Sequence, residues 1–160
     1  MTLALVLFGC EARRPIATAV DPPIELEGRV LAPATVKERL SAELGFTSRG
    51  GRVFCVYSVL AQDARAAYLW VRCEERSPAD GASGSGLSLP VALDLQAGPP
   101  ARIVGVRRPR DGNLYADDVK TMFPRPAVQR IFGDAATLAE RDASLSAALA
   151  AEASAGGPTR

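Results

Sequence analysis

Two β-rich runs carrying the chain's two internal cysteines constrain its fold more than any other feature. Val53-Phe54-Cys55-Val56-Tyr57-Ser58-Val59-Leu60 and Tyr68-Leu69-Trp70-Val71-Arg72-Cys73 are dense in β-branched and aromatic residues, the composition of strands. Gln62-Asp63-Ala64-Arg65 between them reads as a hairpin loop. A hairpin centred on Ala64 sets Cys55 opposite Cys73, Tyr57 opposite Val71 and Val59 opposite Leu69. Directly opposed antiparallel residues have Cα atoms about 4.5–5.5 Å apart, within reach of a disulfide. A Cys55–Cys73 disulfide is therefore predicted if the protein is exported, since such bonds persist in oxidising compartments. On the chain-entropy estimate it adds about 3 kcal/mol. The alternative is a reduced pair packing as small hydrophobes.

The flanking segments complete an α+β pattern. Ile24, Leu26 and Val30 alternate with charged residues, as a short strand does. Pro33 to Leu44 reads as a helix, with Val36, Leu40 and Leu44 on one face and Gly45 as its C-cap. Arg76 to Gly86 is rich in Gly and Ser and reads as a mobile connection between strands. It lacks the Gly-Lys-Ser/Thr ending of a phosphate loop. Leu87, Leu89, Val91, Leu93 and Leu95 then alternate as in a half-buried strand, with Pro90 on the other face pointing to an edge or a bulge. Arg102 to Val106 is the next strand and Pro109 to Gly112 a turn. Tyr115 to Phe123 reads as a helix with Asp117 and Asp118 in its first turn, and Ala127 to Phe132 as a further helical turn. From Asp134 the chain is Ala-rich, a weakly docked helix that frays into the C-terminus.

The expected fold is thus one N-terminal helix on a three- to four-stranded antiparallel sheet, followed by short C-terminal helices. The expected domain runs over residues 24–133, with an Ala-rich helix and tail over 134–160.

Ahead of the domain, Met1 to Phe8 is apolar and runs into Leu7-Phe8-Gly9-Cys10. This ending resembles the bacterial lipobox, in which a small residue precedes a cysteine that carries the lipid. Residues 1–10 are then a lipoprotein-type leader with Cys10 as the attachment site. Phe8 is bulkier than the usual occupant, and no Lys or Arg precedes the apolar run. Residues 11–23 hold Arg13-Arg14, Pro15, Pro22 and Pro23 without helical or strand periodicity, a tether composition. The expected place is the cell envelope, with the membrane as partner through the lipid. A leader that is not a signal would leave the chain cytoplasmic.

Composition removes several functions. The chain has no histidine, which excludes Ser-His-Asp and Cys-His nucleophile systems and histidine metal sites. Two internal cysteines without histidine offer too few ligands for zinc. A net charge of +1 gives no basis for nucleic-acid binding. No cofactor or metal is expected.

The middle of the chain resembles a family of uncharacterised small exported bacterial proteins and lipoproteins. Three blocks carry the resemblance. The first is Cys55-Val56-Tyr57 with Tyr68-Leu69-Trp70-Val71-Arg72-Cys73-Glu74-Glu75. The second is Gly84-Ser85-Gly86-Leu87-Ser88-Leu89-Pro90-Val91. The third runs from Pro109-Arg110-Asp111-Gly112 through Tyr115 and Asp117-Asp118-Val119 to Phe123-Pro124. The resemblance implies an envelope location and an α+β fold, and it brings no catalytic residue.

The polar residues within these blocks form the candidate functional surface: Arg110, Asp111, Glu74 and Glu75. A hydrolase reading pairs Asp111 with Glu74 or Glu75 as acid and base. The structural alternative has Asp111 capping its own turn and Arg110 paired with Glu74 or Glu75. The preferred reading is a non-enzymatic binding or structural module with a protein or peptide partner. The Gly/Ser loop from Pro78 to Gly86 is its natural contact segment, because loops on rigid scaffolds carry recognition.

Overall fold

The computed structural model describes residues 19–44, 50–77 and 82–155. The leader, Cys10, Gly45 and Pro78–Gly81 lie outside them. The fold is α+β. A short hairpin, β1 (Ile24–Leu26) with β2 (Arg29–Leu31), leads into helix α1 (Pro33–Leu44). Then comes a four-stranded antiparallel meander: β3 (Arg52–Gln62), β4 (Ala66–Arg76), β5 (Ser83–Gln96) and β6 (Arg102–Arg107), adjacent in chain order. A 3-10 turn (Gly112–Leu114) opens the helical end: α2 (Tyr115–Met122), α3 (Arg125–Ile131) and α4 (Ala135–Ala155).

The segment read as one strand from Ile24 is two strands, because the chain reverses at Glu27-Gly28. Both residues have positive φ, 49° and 73°, as a two-residue primed turn requires, and glycine takes the second position without strain.

The sheet is covered on both faces, and the alternation of side chains along each strand sorts its residues. Odd-numbered positions (Cys55, Tyr57, Leu69, Val71, Cys73, Val91, Leu93) pack against Val36, Leu40 and Leu44 of α1 and against Ile24, Leu26 and Leu31 of the hairpin. Even-numbered positions face the C-terminal helices. Leu60 and Ala92 pack with Val119, Phe123, Ala127 and Ile131. Phe54 and Val56 pack with Leu145 and Leu149. This double cover explains why Val53–Leu60 is a continuous apolar run rather than an alternating one.

The β3–β4 register sets Cys55 opposite Cys73, Tyr57 opposite Val71 and Val59 opposite Leu69, as the hairpin reading required. Cys55 and Cys73 form a disulfide with Cα atoms 4.1 Å apart. Asp63 fixes the loop, its carboxylate accepting from the Arg65 and Ala66 amides at 2.8 and 2.9 Å.

Three expectations change. Ser83 to Gly86 belongs to β5 rather than to a loop, because this stretch pairs with β4 as far as Ser83, with a register shift between Gly86 and Ser83. Residues 19–23 are docked rather than part of a free tether. Asp21 exchanges hydrogen bonds with Tyr57, and Val20 packs on the α4 cluster. The Ala-rich segment docks firmly: Leu145 is 0% and Leu149 1% exposed, since the small alanines let α4 lie close to β3 and β4. Among the described residues, no helix is long and apolar enough to cross a membrane.

Candidate functional site

The sequence candidates separate in space. Glu74 and Glu75 are neighbours on a strand and therefore point to opposite faces. Glu75 is 1% exposed, and its Oε1 accepts from the Gly51 amide at 3.0 Å. A Cβ on Gly51 would lie 2.6 Å from Glu75 Cγ, so the close approach requires glycine there. Glu75 thus holds the start of β3 in place. Glu74 binds Arg76, Nε to Oε1 at 2.9 Å, and accepts from the Ser83 hydroxyl.

Arg110 does not reach either glutamate. Its guanidinium grips Asp118 at 2.7 and 2.8 Å, and its amide donates to the same carboxylate at 2.9 Å. The side-chain and backbone bonds from Arg110 hold the Asp118 carboxyl down at about 2. Asp118 wins this arginine because it sits in the first turn of α2, directly after the turn that carries Arg110. Asp111 lies at the N-cap of the 3-10 turn, makes no side-chain capping bond there, and is exposed. Among the described residues, no hydrogen bond or ion pair joins Asp111 to Glu74 or Glu75. The geometry supplies no acid–base pair. Nor do three or more Cys, Asp or Glu side chains gather at metal-binding distance among the described residues.

What the fold does assemble is an open strand edge. β6 pairs with β5 only from Ala92 to Gln96, so Ser83–Val91 of β5 has β4 on one side and, among the described residues, no strand on the other. The Leu95 amide donates to Arg65 O at 2.7 Å on the β4 side. In an antiparallel strand the backbone groups of alternate residues point the same way. Odd-numbered residues from Leu87 to Leu95 therefore bond to β4, and Gly86, Ser88 and Pro90 turn their backbone groups outward. Pro90 sits inside a strand at no expense to the ladder, because its missing N–H is one that would point away from β4. The outward N–H and C=O of Gly86 and Ser88 meet no partner among the described residues.

Beside this edge lies a depression of about 280 Å³ lined by Arg72, Cys73, Glu74, Gly86, Leu87 and Ser88. By alternation Arg72, Glu74, Gly86 and Ser88 project on the face that carries α2–α4. Glycine and serine leave the strand low there. Trp70 donates from Nε1 to Ser88 Oγ at 2.9 Å, while the Arg141 guanidinium of α4 stacks 3.7 Å over the Trp70 ring. Helix α4 thereby fixes the strand from the side. Arg72 is half-buried, and no ion pair or hydrogen bond engages its guanidinium among the described residues. Behind the edge, the disulfide ties β3 to β4 at Cys73, whose strand partner on the other side is Leu87.

Gly86 closes the Gly/Ser stretch that the sequence offers as a contact segment, whereas Arg72 and Ser88 were not singled out as a site. The signal was present in the run Ser83–Val91, which has glycine at 84 and 86 and no charged residue over nine positions. It read as a loop followed by a strand because glycine and serine dominate Ser83–Gly86 while apolar alternation begins only at Leu87. No protein-family pattern, curated protein or solved structure matches this chain.

Proposed function

We propose that this protein is a non-catalytic binding module of the bacterial cell envelope, tethered by lipid on Cys10, which recruits a partner along the open half of β5. The observation that carries the reading is the outward backbone at Gly86 and Ser88, which meets no partner among the described residues, beside Arg72 and backed by a disulfide. An extended segment added to such an edge gains main-chain hydrogen bonds directly. The Leu7-Phe8-Gly9-Cys10 ending supports the anchor. The Cys55–Cys73 disulfide supports export, since such bonds are rare in reducing compartments. The hydrolase reading has no comparable support, because Glu74, Glu75 and Arg110 are engaged in separate networks and Asp111 meets neither glutamate among the described residues.

The test begins with the protein from its own host. Intact mass is expected to show a membrane-bound species that starts at Cys10 with added diacylglycerol and lacks two hydrogens. A photo-crosslinking residue at position 86 is expected to trap a partner in the envelope, and one at position 59 on β3 is not. A chain found free of membrane, starting at Met1 with three thiols, would overturn the envelope reading. Equal trapping at both positions would overturn the assignment of the edge.

A further inference from the structure

We infer that the partner taken up by the open half of β5 is a second copy of this chain, joined antiparallel with Gly86 opposite Ser88 of the other copy. This rests on the reading of that edge as the recognition surface and names what it recognises.

The parity of the strand restricts the pairing. From Gly86 to Pro90, ahead of the register shift that separates Gly86 from Ser83, only even-numbered residues face outward, so an antiparallel join to the same edge must set even against even. Three such registers set Gly86 or Ser88 opposite Gly86 or Ser88 of the other copy. Each extends the side-chain rows of β4 and β5 across the junction. In β4, Arg72 lies beside Ser88, and Glu74 lies beside Gly86.

With Ser88 opposite Ser88, the row reads Arg72, Ser88, Ser88, Arg72, and two arginines face each other. With Gly86 opposite Gly86, the row reads Glu74, Gly86, Gly86, Glu74, and two glutamates do. With Gly86 opposite Ser88, each row reads Arg72, Ser88, Gly86, Glu74. The two-fold symmetry makes this row twice. Opposite charges then sit three strand spacings apart, roughly 14 Å between Cα atoms. Only a serine and a glycine lie between them, so Arg72 can lean inward over low ground toward Glu74, whose Oε1 is held by Arg76 and Ser83 and whose Oε2 has no partner among the described residues. Like charges disfavour the two neighbouring registers, and opposite charges favour this one. The edge is therefore self-complementary in one register, as a two-fold interface must be.

The limits of the segment fit the same register. Pro90 donates no hydrogen bond at one end, and the register shift between Gly86 and Ser83 interrupts the strand at the other, so the ladder is confined to Gly86–Ser88. On the odd-numbered face, Leu87 meets Leu87 across the axis. The other flanks of the sheet lack this match. Asp21 and Arg130 occupy the backbone of β3 at Tyr57 and Val59. β6 is short, interrupted by a register shift, and begins and ends with arginine, features that discourage strand addition. A ladder of this length buries less than a standard interface, so the dimer is a weak one that forms at high local concentration.

The test uses the full chain. Sedimentation from ~10 µM to ~1 mM is expected to show a monomer–dimer equilibrium. The Gly86 and Ser88 amides should become protected from hydrogen exchange as concentration rises, while the Tyr57 amide stays constant. Arg72→Glu and Glu74→Arg are each expected to weaken dimerisation at least ~10-fold, because each puts like charges in both rows. Mixing the two variants restores opposite charges in both rows and should restore the dimer as a heterodimer. A chain that stays monomeric with freely exchanging Gly86 and Ser88 amides would overturn the inference, and this readout needs no variant to fold. A dimer indifferent to both substitutions would also overturn it. A monomer whose position 86 still traps a different envelope protein overturns self-pairing but leaves the proposed function standing. A dimer formed by a chain without lipid does the reverse.

Discussion

Along β3 the outward amide and carbonyl of Tyr57 are both taken by Asp21, at 2.8 Å each, and the Val59 carbonyl accepts from Arg130 at 3.3 Å. Along the free half of β5 the equivalent groups of Gly86 and Ser88 meet none of the described residues. Both edges belong to one sheet and both lie beside the same disulfide-linked strand pair, so the contrast comes from what the rest of the chain brings to each. Asp21 is itself held by Lys37 of α1, which also binds Glu152 of α4. One lysine thus joins the N-terminal segment to helices on opposite faces, and together they wrap the β3 edge. Among the described residues, no such clamp reaches Gly86–Pro90 of β5. An exposed, uncharged strand edge invites pairing, so this difference places binding on one side of the molecule.

The largest test of the closed side is removal of its cover. Leu145→Ala is expected to cost about 2–5 kcal/mol in urea unfolding, since the side chain is fully buried between α4 and the sheet. Replacing Cys55 and Cys73 together with alanine should cost about 3 kcal/mol. Its exchange signature sharpens the comparison: amides near Gly86, directly behind which the bond lies, should open more than Tyr57. Asp21→Ala removes the acceptor for the Tyr57 amide and one partner of Lys37. A loss of about 1–2 kcal/mol is expected, with the Tyr57 amide now exchanging as readily as those of Gly86 and Ser88. If Tyr57 stays protected, the clamp is not what closes the β3 edge.

Two carboxylates give pH effects of opposite sign. Burial raises Asp21 above its ordinary value of 3.8 despite its bonds to Tyr57 and Lys37. Its contribution to stability is therefore greatest below 3.8 and declines as pH rises through the folded value. Asp118, held at about 2 by Arg110, contributes fully above its ordinary 3.8 and loses that contribution as pH falls toward 2. Carboxyl chemical shifts followed through an acid titration should show the two midpoints on either side of 3.8. Arg110→Ala should return the Asp118 midpoint to the ordinary carboxylate range, and an unmoved midpoint would break the assignment. The smallest effect belongs to the open side: Arg72→Ala should change folding stability by less than about 0.5 kcal/mol, as expected of a half-buried side chain with no ion pair or hydrogen bond among the described residues.

The strand pairing of β3 with β4 was legible because a hairpin is local. The apolar runs, the short loop and the cysteine positions lie within 25 residues of one another and agree on one register. The alternation from Leu87 to Leu95 was equally plain, and Pro90 in that run announced a free strand side. The candidate site was less legible. Arg110 and Glu74 stood close in the list of polar residues yet belong to separate networks. Nothing in local periodicity tells an arginine whether its carboxylate lies eight residues ahead or across the sheet.

What the sequence determined by itself is therefore the set of elements whose signals repeat over short distances: the helix at Pro33, the hairpin, the disulfide and the alternating strand. Periodicity and turn chemistry act between neighbours, and neighbours are what a sequence displays. Only the tertiary structure decided which edge is covered. Asp21 meets Tyr57 across 36 positions and Lys37 meets Glu152 across 115. Those contacts exist because α1 and α4 pack on opposite faces and end at the same flank, and β6 stops short of Pro90 at the other. Edge cover depends on where distant elements end in space, and no window along the chain contains that information.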